Sequence, residues 1–201
     1  MDKATGQSLT SRELREYWER KYPGCPPIGY LLRQKFPDRW FRIHTLPGAK
    51  RYADSSQEQT EILRRHNLLS SILGDGAKYV LITTGYSDSA TPARSYPQLE
   101  PLIGLGEHWF TVALHEMEGE DDPNYWHFFF SEKTWTAQSA DELLSLVAER
   151  VVSNVLFLGV DQDCLYHPYD GGADIFLKSE PLKSSLKQKY ESWLSSHPEG
   201  L

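Results

Sequence analysis

The sequence predicts an α+β fold, a single domain in which helices pack on the faces of a mixed, largely antiparallel sheet of about six or seven strands. The order of segments is not the strict alternation of a parallel sheet: helix, strand, helix, three strands, helix, three strands, helix. Hydrophobic residues make up 39% of the 201 residues and aromatic residues 12%, enough for the core of one ordinary domain. We expect this domain to cover residues 10–201, after a flexible tail over the small and polar residues 1–9.

The first helix is predicted in the segment TSRELREYWERKY. Thr10 and Glu13 have the spacing of a capping box, in which each side chain accepts a hydrogen bond from the other residue's backbone N–H. Leu14, Tyr17 and Trp18 recur at helical spacing, so one face of the helix is apolar. The prolines that follow end the helix, because proline has no N–H to donate.

The first strand is predicted in RWFRIHTL, residues 39–46, which is rich in aromatic and β-branched residues. Its two sides are Trp40, Arg42 and His44, and Phe41, Ile43 and Thr45. The second side is the more apolar of the two, so we expect it to face the core.

A second helix is predicted over residues 55–74. Ser55 and Glu58 have the spacing of another capping box, and Glu61 precedes Arg65 by four residues, the favourable orientation for a helical ion pair. Its apolar stripe is Ile62, His66, Leu69 and Leu73. A histidine on such a stripe is expected to be buried in the core.

The middle of the chain alternates between strands and loops. Residues 78–86 read as a buried strand, and residues 87–101, with three prolines, as a long loop. Residues 108–117 and 125–132 are predicted as two further strands. The acidic segment between them, EGEDDPN, is typical of a solvated hairpin loop.

The C-terminal third predicts a helix, a three-stranded antiparallel meander and a last helix. The first of these helices covers residues 139–152, with a capping box from Ser139 to Glu142. The meander strands are residues 155–160, 164–169 and 173–177, separated by DQD and DGG. Ser179 is expected to cap the last helix, with the stripe Leu182, Leu186, Tyr190 and Leu194.

Charge is unevenly distributed along the chain, which carries a net −7. Residues 1–70 hold 13 Lys and Arg against 8 Asp and Glu, whereas residues 71–201 hold 8 against 20. A mainly acidic chain binds nucleic acid poorly, because phosphate contacts need a basic face. The acidic surface favours a protein partner instead, unless the two halves neutralise each other across one domain.

The sequence also excludes several settings for the protein. It contains neither an apolar run of membrane-spanning length nor the apolar stretch of a secretory signal. Two cysteines, Cys25 and Cys164, neither close a zinc site nor form a disulfide framework. We expect a cytoplasmic protein without membrane attachment, metal, cofactor or disulfide, and with Cys164 buried.

The segment HPYDGGADIFL, residues 167–177, is the first candidate site. As a turn, it would use positive φ at Gly171 or Gly172, and Asp170 would fold its carboxylate back on the turn's own N–H groups. Asp174 enters an apolar strand, where a lone carboxylate is costly without a partner. We predict Arg42 as that partner, and a ligand-contacting role for the segment remains the alternative.

The second candidate site is the basic run over residues 33–52, in which basic and aromatic side chains alternate. Together with the turn it supplies the candidate binding residues Arg42, His44, Lys50, Arg51, His167, Asp170 and Asp174. Such a run can bind nucleotides, although no P-loop motif occurs in it. We expect its cations to pair with carboxylates inside the domain.

Metal and nucleophile chemistry find little support in the sequence. The possible metal ligands do not have the spacing of a recognised metal motif; they are His127, Asp161, Asp163, His167, Asp170 and Asp174. The G-x-S-x-G elbow is absent as well, and the apolar surroundings of Cys164 are expected to raise its pKa. The sequence therefore predicts no metal site and no catalytic constellation.

Three segments carry a resemblance to a known family: RWFRIHTLPGAKRYADSSQEQTEILRRHN, LITTGYSD and LYHPYDGGADIFLKSEPLKSSLKQKYESWL. From about residue 39 to the C-terminus the chain resembles an uncharacterised family of small bacterial proteins, classed as a domain of unknown function. The resemblance implies a strand, an aspartate turn, an apolar strand and a closing helix. The matching residues are Tyr166, Asp170, Asp174, Tyr190 and Trp193. It implies no activity or cofactor.

Two functions remain open from the sequence. The first is a non-enzymatic protein-binding module, since small acidic α+β proteins of this kind are similar to toxin-neutralising immunity proteins. The alternative is a small-ligand or nucleotide-binding protein, or a hydrolase, that uses an Arg/His/Asp pocket. A flat acidic surface would favour the first function, and convergence of those side chains in a pocket would favour the second.

Overall fold

A seven-stranded antiparallel sheet forms the centre of the computed structural model, which describes residues 8–96, 99–104, 106–119, 121–195 and 197. The strands are β1 (Trp40–His44), β2 (Lys78–Ser87), β3 (Glu107–Ala113), β4 (Tyr125–Thr134), β5 (Leu156–Gly159), β6 (Cys164–Tyr169) and β7 (Gly172–Leu177). Their order in the sheet is β1-β7-β6-β5-β2-β4-β3. The predicted α+β class is confirmed, and all the strand pairs that the structure describes are antiparallel.

Helices pack on both faces of the sheet. They are α1 (Ser11–Lys21), α2 (Gly29–Lys35), α3 (Ser56–His66), α4 (Leu68–Leu73), α5 (Glu100–Ile103), α6 (Leu114–Glu118), α7 (Asp141–Ala148) and α8 (Glu180–Lys189). The helices in the described part of the chain are all too short or too polar to span a bilayer.

Two hydrophobic cores lie on opposite faces of the sheet, because successive strand residues point to opposite sides. In β2, Tyr79 and Leu81 belong to the core that includes α4 and α7, and Val80 and Ile82 to the core that includes α1 and α2. Both faces of this central strand are covered, so it is a continuous buried run rather than an alternating one. In β1, Phe41 and Ile43 face the first core, as predicted.

Several local predictions are confirmed. Thr10 and Glu13 form the full capping box of α1, and Ser179 caps α8 by accepting from Leu182 N. His66 is fully buried and its Nδ1 lies 2.7 Å from Tyr166 Oη. Burial lowers the pKa of His66 to about 4 and raises that of Cys164, also buried, to about 12.

Other local predictions are wrong, because the side chains concerned bond to other residues in the folded chain. The helix over residues 55–74 breaks into α3 and α4 at Asn67. The Ser55 box is half formed, because Glu58 accepts from Asp54 N and Lys50 Nζ instead of the cap. The Ser139 box is absent from α7, because the Ser139 hydroxyl donates to Thr136 O.

Three short helices are absent from the prediction. The predicted strand over residues 108–117 ends at Ala113 and continues as α6, α5 begins at the end of the predicted loop over residues 87–101, and α2 lies in a segment for which no element is predicted. Each has four to seven residues, too few for a clear helical period. Of the predicted tail, residues 1–7 lie outside the described residues, and Leu9 N donates to Glu132 Oε2 at 3.2 Å.

Candidate functional site

A cavity of about 510 Å³ opens between β2 and β6, next to α2. It exists because β5, the strand between them, is short: it pairs with β2 only over Val80–Ile82, whereas β2 continues to Ser87. β6 likewise continues beyond the last residue that pairs with β5. Tyr86 of β2 and His167 of β6 both line this cavity, which we call the cleft.

Asn154 braces the wall of the cleft where β5 would otherwise extend. Its side-chain Nδ2 donates to Pro27 O at 2.9 Å and to Thr84 Oγ1 at 2.7 Å, and its Oδ1 accepts from Gly29 N at 3.2 Å. The buried side-chain amide of Asn154 therefore connects β2, the start of α2 and the segment before β5.

Asp174 lines the cleft and is 2% exposed. Arg42 donates from Nε to Oδ1 at 2.8 Å and from Nη2 to Oδ2 at 3.0 Å, and Trp40 Nε1 donates to Oδ1 at 2.8 Å. Burial alone would raise the pKa of Asp174, but His167 and Arg42 lower it to about 2. We attribute the lowering mainly to Arg42, since His167 lies beyond hydrogen-bond distance. The predicted Arg42–Asp174 pair is confirmed.

Aromatic rings hold Arg42 in place beside this carboxylate. Its guanidinium carbon lies 4.7 Å from the ring centroid of Tyr169 and 5.6 Å from that of Trp40. The guanidinium of Arg33, from α2, lies 5.8 Å from the same Trp40 ring. Burial raises the pKa of Tyr169, so its phenol stays neutral. Two cations therefore share one indole at the base of α2.

His167 lines the cleft, and its Nδ1 has no hydrogen-bond partner among the described residues. Its Nδ1 is buried and lies 3.8 Å from Asp174 Oδ2. The ring packs against Gly29, where a Cβ atom would overlap the imidazole. Glycine at the start of α2 is thus required for the imidazole to occupy this position.

The turn between β6 and β7 differs from its prediction in two respects. Gly171 and Gly172 do not have positive φ. Gly172 is needed for close approach instead, since a Cβ there would overlap Ile43 O of the paired strand β1. The Asp170 carboxylate accepts from Tyr52 Oη at 3.2 Å and lies 3.9 Å from Arg51 Nη1, rather than folding onto the turn.

The structure brings together four of the seven candidate binding residues: Arg42, His167, Asp170 and Asp174 all line the cleft. The other three, His44, Lys50 and Arg51, do not. Lys50 pairs with Asp54 at 2.8 Å and Glu58 at 2.6 Å, which holds it in its own loop. The side chain of Arg51 is 66% exposed beside Asp170.

Sequence reasoning missed much of the lining of the cleft, including Tyr30, Tyr86, Trp126, Arg150 and Asn154. They come from α2, β2, β4 and the segment after α7, so no shared segment connects them. Positive φ at Asn154 and Arg150, 48° and 61°, marks the sharp reversals that direct this segment into the cleft. Positive φ in residues other than glycine cannot be read from sequence.

Most cations of the basic run pair with carboxylates inside the domain, as predicted, whereas Arg33 and Lys35 have no carboxylate within 4 Å among the described residues. Arg39 Nη2 lies 3.1 Å from Asp163 Oδ1, and this ion pair is a second one besides Arg42–Asp174. The possible metal ligands are dispersed: His127 bonds Ser87 Oγ and Thr111 Oγ1, both at 2.8 Å, far along the sheet from Asp163. Within the described ranges, no three His, Cys, Asp or Glu residues are grouped in a way that could hold a metal ion.

Residues 28–198 match the model of a family described as Domain of unknown function (DUF3885). The chain belongs to this family. The predicted resemblance to an uncharacterised family is thereby confirmed, and the match begins earlier than residue 39, so that it includes α2. Neither a curated protein nor a solved structure matches the chain.

Every residue that lines the cleft falls inside the part matched to DUF3885, from Ile28 to Asp174. The helix α1, which packs into the core below the cleft, precedes the match. The cleft is therefore a feature of the DUF3885 domain itself. Chemically, it offers guanidinium donors for an anion, aromatic faces for a planar group and an imidazole nitrogen without a hydrogen-bond partner among the described residues.

Proposed function

We propose that this DUF3885 chain binds a small anionic ligand with a planar ring in the cleft. The observation that carries the proposal is the convergence of three guanidinium groups, those of Arg33, Arg42 and Arg150, on one cavity of about 510 Å³. Cavities of roughly 300–1,000 Å³ suit small-molecule ligands. Of the two functions left open by the sequence, this geometry supports the small-ligand alternative.

The guanidinium groups have donors to spare. Among the residues that the structure describes, Arg33 and Arg150 have no carboxylate within 4 Å. Arg150 Nη1 donates to Tyr52 Oη at 3.2 Å, a neutral partner. Arg42 gives Nε and Nη2 to Asp174, which leaves Nη1 unused by that carboxylate. An anion in the cleft would supply the missing partner for these donors.

The aromatic lining suits a planar group beside that anion. Tyr86 and Trp126 lie edge to face with ring centroids 4.7 Å apart on one side of the cleft. Tyr169 lies on the other side, over Arg42. Such rings bind a flat apolar body, while the charged groups orient it.

The test is calorimetric binding of three probes that share one ring: phenyl phosphate, benzoate and the neutral benzyl alcohol. We expect both anions to bind and benzyl alcohol to bind much more weakly, because it gains no charged hydrogen bond. Arg150→Gln should weaken anion binding about tenfold, since a hydrogen bond to a charged group is worth about 1.5–3 kcal/mol.

Arg12→Gln is the matched control, because Arg12 is an exposed arginine of α1 that pairs with Glu16 and does not line the cleft. It should bind the anions as the unmodified chain does. Equal affinity for benzyl alcohol and the anions, or unchanged affinity in Arg150→Gln, would refute an anion site in the cleft.

A second candidate function is binding of a basic protein partner through the acidic arm, which we define as residues 116–119 and 121–122. Met117 is 54% exposed there, beside the exposed carboxylates of Glu116 and Glu118. Exposed Asp121 and Asp122 continue the negative surface. A large exposed apolar side chain within a charged rim is typical of protein contact surfaces. Such a surface would serve the protein-binding function of the immunity type.

If the acidic arm is such a surface, association with the partner is steered electrostatically. Reversing Glu118, Asp121 and Asp122 to lysine, together with Glu120, which lies outside the described residues, should slow association more than it speeds dissociation. The measurement is the association rate of the protein that co-purifies with the native chain, at low and high salt. An unchanged rate at low salt would leave the arm as solvated surface.

A further inference from the structure

The loop over residues 50–54 lies at the edge of the cleft without lining it, and Tyr52 is its central residue. The Tyr52 hydroxyl lies between two residues that do line the cleft, Arg150 and Asp170. Arg150 Nη1 donates to Tyr52 Oη at 3.2 Å, and Tyr52 Oη donates to Asp170 Oδ2 at 3.2 Å. Because a hydroxyl has one hydrogen, it gives that hydrogen to the carboxylate and accepts from the guanidinium. A neutral group thus lies between two opposite charges.

Ion pairs close the loop that carries Tyr52. Lys50 Nζ lies 2.8 Å from Asp54 Oδ2 and 2.6 Å from Glu58 Oε2, and Asp54 N donates to Glu58 Oε2 at 2.7 Å. Lys50 and Asp54 are two residues before and two residues after Tyr52, and Glu58 belongs to the first turn of α3. These contacts connect the loop to α3, so the Tyr52 hydroxyl is held at the edge of the cleft.

Arg150 and Asp170 share this hydroxyl but do not form an ion pair with each other. Among the described residues, Arg150 has no carboxylate within 4 Å, and the cation within 4 Å of Asp170 is that of Arg51, whose Nη1 lies 3.9 Å away. A guanidinium pairs strongly with a carboxylate when the two meet directly. An anion in the cleft would then compete with Asp170 for Arg150, so a direct pair would weaken its binding.

Resting on the proposed function, we propose that Tyr52 is a positioning residue for the anion in the cleft, because its hydroxyl keeps Arg150 from pairing with Asp170. The guanidinium of Arg150 then remains available to the ligand. Tyr52 acts through Arg150 and does not itself line the cleft. It is 46% exposed, so its hydroxyl can be removed without disturbing either hydrophobic core.

The experiment removes this hydroxyl and measures the affinity for benzoate by calorimetry. In Tyr52→Phe, Arg150 can pair directly with Asp170, so benzoate should bind about two- to fivefold more weakly, the range that an exposed ion pair covers. Benzyl alcohol, which is neutral, should bind as it does to the unmodified chain. Tyr190→Phe is the matched control, since Tyr190 Oη lies 3.3 Å from Ser71 Oγ and the residue does not line the cleft. It should leave both affinities unchanged.

Two double variants distinguish positioning of Arg150 from a general structural role. Asp170→Asn removes the charge of the carboxylate and keeps one acceptor oxygen, so adding Tyr52→Phe to it should cause no further loss of benzoate binding. Adding Tyr52→Phe to Arg150→Gln should also have no effect, because the guanidinium through which Tyr52 acts is then absent. Such non-additivity is expected only of residues that act on one another.

The outcomes distinguish this role from the anion site on which it rests. Unchanged benzoate binding in Tyr52→Phe, or an equal loss with and without the Asp170 carboxylate, would overturn the role of Tyr52 and leave the anion-binding cleft standing. Binding of neither benzoate nor phenyl phosphate above the level of benzyl alcohol in the unmodified chain would overturn the anion-binding cleft, and the role of Tyr52 with it.

Discussion

Asp174→Asn should lower the free energy of unfolding by about 3–5 kcal/mol, the cost of leaving a buried charge without its partner. The carboxylate is 2% exposed and accepts three hydrogen bonds, two from Arg42 and one from Trp40. Asparagine keeps the shape but replaces one acceptor oxygen by an NH2 group. A donor then faces either Arg42 Nη2, or both Arg42 Nε and Trp40 Nε1.

Chemical denaturation of the variant and the unmodified chain measures this loss. Glu16→Gln is the matched control, because Glu16 is 60% exposed in its pair with Arg12, and exposed pairs contribute about 0–1 kcal/mol. A variant that keeps its stability but loses anion binding would contradict the structural role. Asp174 would then act in the cleft as a binding residue alone.

The same pair predicts a pH dependence whose sign follows from the lowered pKa. The pKa of Asp174 is about 2 in the folded chain, against 3.8 for an ordinary aspartate, so the unfolded chain binds the proton more readily. Its contribution to stability is complete above the higher value and is lost as the pH falls through the lower one. Asp174→Asn lacks this carboxylate and should lose less stability over that window.

The Arg42–Asp174 pair was predictable from two features of the sequence. A carboxylate inside an apolar strand needs a cation, and Arg42 occupies the polar side of a strand in the basic half of the chain. Antiparallel pairing of β1 with β7 then places the two residues directly opposite each other. The capping box of α1 was predictable for the same reason, since Thr10 and Glu13 complete it without help from the rest of the chain.

The cleft itself was not predictable from local patterns, because it results from the length of β5 relative to its neighbours. Nothing in the segment around Leu156 specifies that β2 and β6 continue beyond it. Asn154 and Arg150 reach the cleft through positive φ, and Tyr30 reaches it from a seven-residue helix. Ser139 shows the same limit. Its spacing from Glu142 predicts a capping box, but its hydroxyl donates to Thr136 O instead.

The glycines of the β6–β7 turn show how a correct choice of residue can have a different cause. Sequence reasoning assigned them to positive φ, but the described backbone does not place Gly171 or Gly172 in that region. At Gly172 the limiting factor is the neighbouring strand, since β1 pairs His44 with Gly172 and brings Ile43 O against the position of a Cβ. Strand pairing between distant segments determines this contact.

Gly172→Val should therefore destabilise the fold by about 3 kcal/mol, the upper part of the range for overpacking a close-packed site. A side chain at residue 172 would overlap Ile43 O and approach Tyr169 Oη at 2.9 Å, so β1 must move away from β7. Moving β1 also moves Arg42 away from Asp174, which adds the loss of the buried pair.

Gly171→Ala is the control that separates close approach from turn geometry. The nearest atoms to its Cβ are Arg51 Cγ and the Tyr169 ring, both at 3.2 Å, and an exposed arginine can shift by a few tenths of an ångström. We expect a loss below about 1 kcal/mol for this variant by chemical denaturation. Similar losses in the two variants would mean that the turn needs glycine for its backbone conformation. A large loss in Gly172→Val alone would support the close approach of β1 as the reason for glycine at residue 172.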